Sequence, residues 1–192
     1  MSDLTDLQER LRTQRPVEWE QLPDFALYMD QVLSYMDRQF IRFDEADTLT
    51  AAMVNNYTKS GLVPRAEGKK YNREHLAYLT AICILKRVMS TRDMDMLIHE
   101  ELQGSHSVES GYNAFCASLD KALNITVDEM ESRPAGDSLA DAAIHFALLS
   151  YAAGVASSRY VALLRQQKEA AGELPVKGKP KAKKEKEREE HA

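Results

Sequence analysis

The sequence predicts a mainly all-α protein, and three observations carry that expectation. Apolar residues recur at spacings of three and four along most of the chain, the period of a helix with one buried face. Only 8 of the 192 residues are Gly and 6 are Pro, so few helix breakers interrupt those runs. Apolar residues make up 44% of the chain, enough to bury a real core.

The elements follow in order. Asp3 to Gln14 reads as a short amphipathic helix with Leu4, Leu7 and Leu11 on one side, stopped by Arg15-Pro16. A second helix is expected from Phe25 to Phe40 after Pro23, its core stripe being Phe25, Tyr28, Met29, Val32, Leu33, Met36 and Phe40. An acidic loop, Asp44 to Thr48, follows. Thr50 is placed to cap a short helix from Ala51 to Ser60, and Gly61 to end it. Pro64 leads away, and Arg65 to Tyr71 reads as a hairpin turning at Gly68. Arg73 to Met89 is the next helix, buried through Leu76, Leu79, Ile82, Cys83 and Val88, with His75 on its surface. Ser90 or Thr91 caps a helix running to about His99. Val108 to Leu123 is a further helix. Arg133-Pro-Ala-Gly136 breaks the chain before a long Ala-rich helix that ends at Gly172. The Lys/Glu-rich tail from Pro175 is expected to be disordered.

Charge is unevenly distributed. The chain carries a net −5. Residues 50–92 hold 8 basic and 2 acidic side chains, a net of +6, between acidic flanks of −6 and −8. Such a basic island is a local field suited to an anion or a phosphate backbone. The two cysteines, Cys83 and Cys116, are too few for a disulfide framework or a thiolate zinc site, so a reducing, cytoplasmic setting is expected. The N-terminus, MSDLTDLQER, does not read as a signal peptide. The longest uncharged run, Ala142 to Ser158, spans 17 residues, short for a bilayer crossing, and no membrane partner is expected.

Short helix, tight turn, basic hairpin, longer helix and capped helix together form the skeleton of a winged helix-turn-helix. Residues Leu49 to Ile98 resemble the DNA-binding domain of MerR transcriptional regulators. The matching elements are Met53 to Leu62 with Tyr57 and Gly61, then Pro64, Gly68-Lys-Lys-Tyr71, Leu76 to Val88, and Ser90 to Ile98. The position two before the matched tyrosine, an arginine in MerR regulators, is Asn55 here. A closer resemblance, over roughly residues 17–130, is to a bacterial family of unknown function regarded as MerR-like. It rests on Leu27 to Val32 (Leu-Tyr-Met-Asp-Gln-Val), Leu49 to Lys59 and Lys69-Lys-Tyr71. The resemblance implies a small β-wing, a regulator of transcription and no chemistry.

The residues also support a reading of their own. Thr50, Ala51 and Ala52 are small enough for a helix end entering a major groove. Asn55 and Asn56 are able to bond adenine edges, or alternatively to cap backbone. Lys59, Arg65, Lys69 and Lys70 suit phosphates. Tyr57 and Tyr71 suit either phosphate contacts or buried packing. The domains expected are an N-terminal helical arm (1–16), the winged helix-turn-helix (17–103), a C-terminal helical hairpin for dimerisation or sensing (104–172) and the tail (173–192).

A search for catalytic signatures finds no G-x-S-x-G, P-loop or G-x-G-x-x-G, so no enzyme and no cofactor are expected. His99 and His106 match no zinc spacing, and no metal is expected. His145 is expected to be a satisfied core histidine. The expected partners are duplex DNA and a second copy of the chain, with the identity of any small-molecule effector left open. The competing expectation is a protein-interaction module in which the winged domain is scaffold.

Overall fold

A computed structural model of the chain describes residues 2–39, 48–103, 107–134 and 136–174. The helices formed among them are α1 (Ser2–Thr13), α2 (Met29–Met36), α3 (Ala51–Ser60), α4 (Arg73–Leu85), α5 (Thr91–Gln103), α6 (Val108–Glu131) and α7 (Leu139–Ala170), with a 3₁₀ turn at Trp19–Gln21. Phe40, residues 44–47 of the expected acidic loop, His106 and the Lys/Glu tail lie outside the described residues. The chain resolves into two compact units, residues 1–146 and 147–192.

The first unit is organised around α4. Asn72 starts this helix by accepting the His75 main-chain N–H at 3.2 Å. Eight consecutive residues, His75 to Ile82, are buried, so the helix has no solvent face over that stretch. The walls around it come from Val32 and Met36 of α2, Val54 of α3, Met94 and Ile98 of α5, and Tyr112 of α6. Burying each such side chain stabilises the fold by about 1.5–3 kcal/mol.

Short polar contacts fix the segment before α2. The Val17 N–H donates to Gln39 Oε1 at 3.2 Å, and the Val17 carbonyl accepts from the Tyr112 hydroxyl at 2.7 Å. Two side chains distant in sequence therefore satisfy both main-chain groups of one residue. At the N-terminus, α1 lies along α6. Arg12 pairs with Glu131 at 2.7 Å, and Arg15 bonds Asp120 at 2.6 Å and Asn124 at 3.1 Å. Gly111 is buried in α6 where it passes the end of α5. A Cβ there would overlap the Glu101 carbonyl and meet the Leu102 Cα at 3.1 Å.

α7 begins with Ser138 as its cap, accepting the Asp141 N–H at 3.1 Å. His145 bonds Glu129 at 2.7 Å and is half-exposed, a satisfied histidine outside the core. The helix has 32 residues and is long and apolar enough to cross a membrane, by length and composition only. The 17-residue uncharged run, read as short for a span, therefore sits inside a longer apolar helix. Its most apolar stretch has no buried residue.

Several expectations are corrected. α2 starts at Met29, not near Phe25, because Leu27 is held in extended backbone by paired hydrogen bonds to Tyr71, both at 2.8 Å. Phe25 is consequently 64% exposed rather than core. No β-strand forms among the described residues. The expected β-wing is a tight turn with two isolated bridges, Leu27 to Tyr71 and Glu67 to Lys70. α4 stops at Leu85, which leaves Val88 exposed. His75 is buried rather than superficial, because its ring closes onto the helix start. α5 continues to Gln103 and α6 to Glu131, both beyond the expected ends.

The two helical glycines should respond oppositely to alanine. Gly111→Ala, with backbone in the way, should destabilise by about 1–3 kcal/mol. Gly154→Ala, with nothing within 4 Å of the new Cβ, should stabilise by about 0.5–1 kcal/mol. Urea unfolding midpoints measure both; equal shifts would contradict the close α5–α6 approach.

Candidate nucleic-acid interface

α3 is built from local signals. The Thr50 side chain accepts the Met53 N–H at 3.2 Å, and Gly61 ends the helix with φ of 85°, a conformation that favours glycine. Leu62 and Val63 then plunge into the core, and the Val63 N–H bonds the Tyr57 carbonyl at 3.2 Å. These anchors fix which side of α3 faces outward.

That outward side is polar. Ala52, Asn55, Asn56 and Lys59 are exposed and fall at i, i+3, i+4 and i+7, one continuous helix face. It contains no acidic residue. Val54 on the opposite side is fully buried, while Ala51, Met53 and Tyr57 are half-buried between the two. The exposed Thr50 sits at the leading end.

The 64–71 segment follows. Gly68 and Lys69 have φ of 55° and 66°, and the Lys70 N–H bonds the Glu67 carbonyl at 2.9 Å. Two consecutive positive φ angles between bridged residues make the turn used by two-residue hairpins. The turn lifts Arg65, Lys69 and Lys70 into solvent. Lys70 lies over the Tyr28 ring at 5.2 Å, a cation–π contact that steadies it. Among the described residues, the side chains of Asn55, Asn56, Lys59, Arg65 and Lys69 have no hydrogen-bond or ion-pair partner.

The two candidate tyrosines are built in. Tyr71 is buried, pairs its backbone with Leu27 and stacks edge-on against His75 at 5.5 Å. Burial pushes both Tyr57 and Tyr71 up from the ordinary phenol value. Both position the segment that carries the polar groups.

Other titratable groups are accounted for locally. Burial pushes the Cys83 thiol up to about 11 and raises Cys116 as well. Asp93 accepts from the Ser90 hydroxyl at 2.8 Å, and Asp95 pairs with His99 at 3.2 Å. Among the described residues, no group of three or more His, Cys, Asp or Glu side chains is placed to hold a metal ion. Sequence reasoning missed His75, whose Nδ1 accepts the Asn72 N–H at 3.1 Å; the Asn-x-x-His spacing at the start of α4 was its signal.

The class defined so far is a helical domain presenting a polar, acid-free helix face beside a basic turn. Residues 17–115, about half of the chain, match the domain of unknown function DUF1836, and the chain belongs to that family. The match coincides with the α4-centred core, which runs from Leu22 to Tyr112. No curated protein and no solved structure shows significant similarity to the chain.

Burial lowers the His75 pKa, against weaker raising contributions from the Arg65 backbone and Glu74. The unfolded chain then protonates His75 first as pH falls below about 6.5. Stability should decline from there until the folded-state value is passed. Unfolding midpoints between pH 8 and pH 5 should fall more steeply for the native chain than for His75→Gln. Parallel pH profiles would contradict a buried neutral imidazole.

Proposed function

We propose that the chain is a non-catalytic, cytoplasmic DNA-binding regulator of transcription of the MerR-like type. It grips duplex DNA through the 50–60 helix and the 64–71 turn and acts as a homodimer. The observation that carries this reading is the α3 face: Ala52, Asn55, Asn56 and Lys59 are aligned and exposed, and none of them is acidic, in a chain of net charge −5.

The geometry suits the task. A major groove about 12 Å wide admits one helix. In this reading α3 is the recognition helix and lies in the groove with Asn55 and Asn56 toward base edges. Lys59 and the turn cations Arg65, Lys69 and Lys70 neutralise phosphates, while Tyr57 and Tyr71 support the segment. The turn does the work of a wing without β-strands, since its φ angles alone project the cations.

The dimer reading is supported by α7. Ile144, Leu148, Tyr151 and Val155 follow at spacings of four, three and four and are 54–70% exposed. That is the a/d rhythm of a helix–helix seam. A second copy gives this stripe an identical partner. One small module also buries too little surface for tight specific binding. The same exposed stripe is the one observation that favours the alternative of a protein-interaction module.

Source DNA fragments retained by the full-length protein should be enriched for a short palindromic site. The enrichment should vanish for Asn55→Ala/Asn56→Ala/Lys59→Ala. Lys69→Ala should instead weaken all sequences alike and reduce the salt slope by about one unit per site contacted. No retention at low salt would overturn the regulator reading. Leu148→Glu/Tyr151→Glu should convert a dimer to a monomer in sedimentation; an unchanged mass would assign the stripe to another partner.

A further inference from the structure

The first compact unit carries a partly open cavity that the DNA-binding reading leaves unused. Its volume is about 710 Å³, within the range of about 300–1,000 Å³ typical of small-molecule sites. The walls are contributed by Leu4 and Leu7 of α1, Met36 of α2, Leu119 and Leu123 of α6, and Phe146 from the first turns of α7. A partly open, mainly apolar space of this size is a place for an apolar guest.

The polar lining sets the charge of that guest. Arg10, Arg87 and Arg133 line the cavity against a single carboxylate, Asp37. Counting Asp137, which is paired with Arg133, three guanidinium groups stand beside two carboxylates, a net positive lining in an acidic protein. Arg133 pairs one Nη with Asp137, yet its Nε is buried with no hydrogen-bond partner among the described residues. A buried N–H donor on a cation is satisfied best by an anionic oxygen.

We propose that this cavity binds a straight-chain carboxylate: the alkyl chain against the leucines of α1 and α6, and the carboxylate against the cavity arginines. The carboxylate commits the site to a single-tailed anion. A cationic head group faces like charge and offers no acceptor to the Arg133 N–H, and a neutral ester offers only an uncharged acceptor, which a guanidinium N–H bonds more weakly than a carboxylate.

The cavity also touches the DNA-binding apparatus. Thr48 and Leu49 line it, and the next residue, Thr50, is the cap of α3. A guest that shifts Leu49 shifts the leading end of α3. This coupling rests on the regulator reading above; the binding itself does not.

The test is calorimetric titration of the full-length protein, without DNA, by dodecanoate, methyl dodecanoate and dodecyltrimethylammonium. Dodecanoate should bind one per chain and at least tenfold more tightly than the other two. Arg133→Gln should weaken it at least fivefold. Leu123→Trp and Ala142→Phe, each filling the cavity from a different helix and each checked for native circular dichroism, should abolish it. Leu148→Gln/Tyr151→Gln, which strips the exposed stripe of α7, should leave it intact. Equal binding of the three head groups, no binding of dodecanoate, or binding that survives in a folded cavity-filled variant would each overturn the proposal. DNA affinity is measured separately, with and without dodecanoate. An unchanged affinity would overturn the coupling alone, whereas absent DNA binding with dodecanoate still bound would overturn the regulator reading alone.

Discussion

Everything in the family domain is arranged to surround α4. A helix buried from His75 through Ile82 has no side left to face water, so it is stable only when neighbours cover it on every side. That demand explains the short elements around it. α2 spans Met29–Met36 and α3 spans Ala51–Ser60, lengths at which isolated helices are marginal. Each holds its shape because its apolar face completes the sheath around α4. The start of α4 depends on the reciprocal hydrogen bonds of Asn72 and His75, and these place His75 inside the sheath. The Gln39 and Tyr112 contacts to Val17 draw the preceding segment in at the edge, where the family match also begins.

The same constraint produces the outward-facing surface. With Val54 committed to the sheath and Gly61 redirecting the chain into Leu62 and Val63, α3 has only one orientation. The residues left outside are small or polar. The turn after Pro64 cannot drift, because Tyr71 is fixed on both sides: its backbone to Leu27 and its ring among buried residues. The packed core therefore fixes the backbone of a basic turn and a polar helix face, and leaves only their exposed side chains to be ordered by binding.

Local signals were legible in the sequence; contacts made across the chain were not. Thr50, Gly61, Gly68 and Ser90 act through their own backbone neighbourhood, so their type and position were enough to place a cap, a helix end, a turn and a second cap. Phe25 looked like core because its spacing continued the α2 stripe, but the Leu27–Tyr71 pairing, between residues far apart in sequence, overrode the periodicity. The last turns of α6 lie beyond the expected end at Leu123; Val127 is buried there, and Arg12 of α1 pairs with Asp128 and Glu131. Gly111 carried no local signal, since the reason for it is the passing backbone of α5. For the candidate site, the residue types of α3 and the turn were legible. Their division into an outward face (Asn55, Asn56, Lys59) and supporting rings (Tyr57, Tyr71) followed only from burial. The cavity was invisible because its walls come from segments scattered between Leu4 and Phe146.

The proposed DNA contact is made by α3 and the adjoining turn, on a domain packed around α4. Hydrogen–deuterium exchange of the full-length protein, with and without duplex DNA at low salt, addresses it directly. Added protection is expected to concentrate in residues 50–71, with little change in the already protected α4 amides. Protection confined to 139–170, or none at saturating DNA, would contradict it.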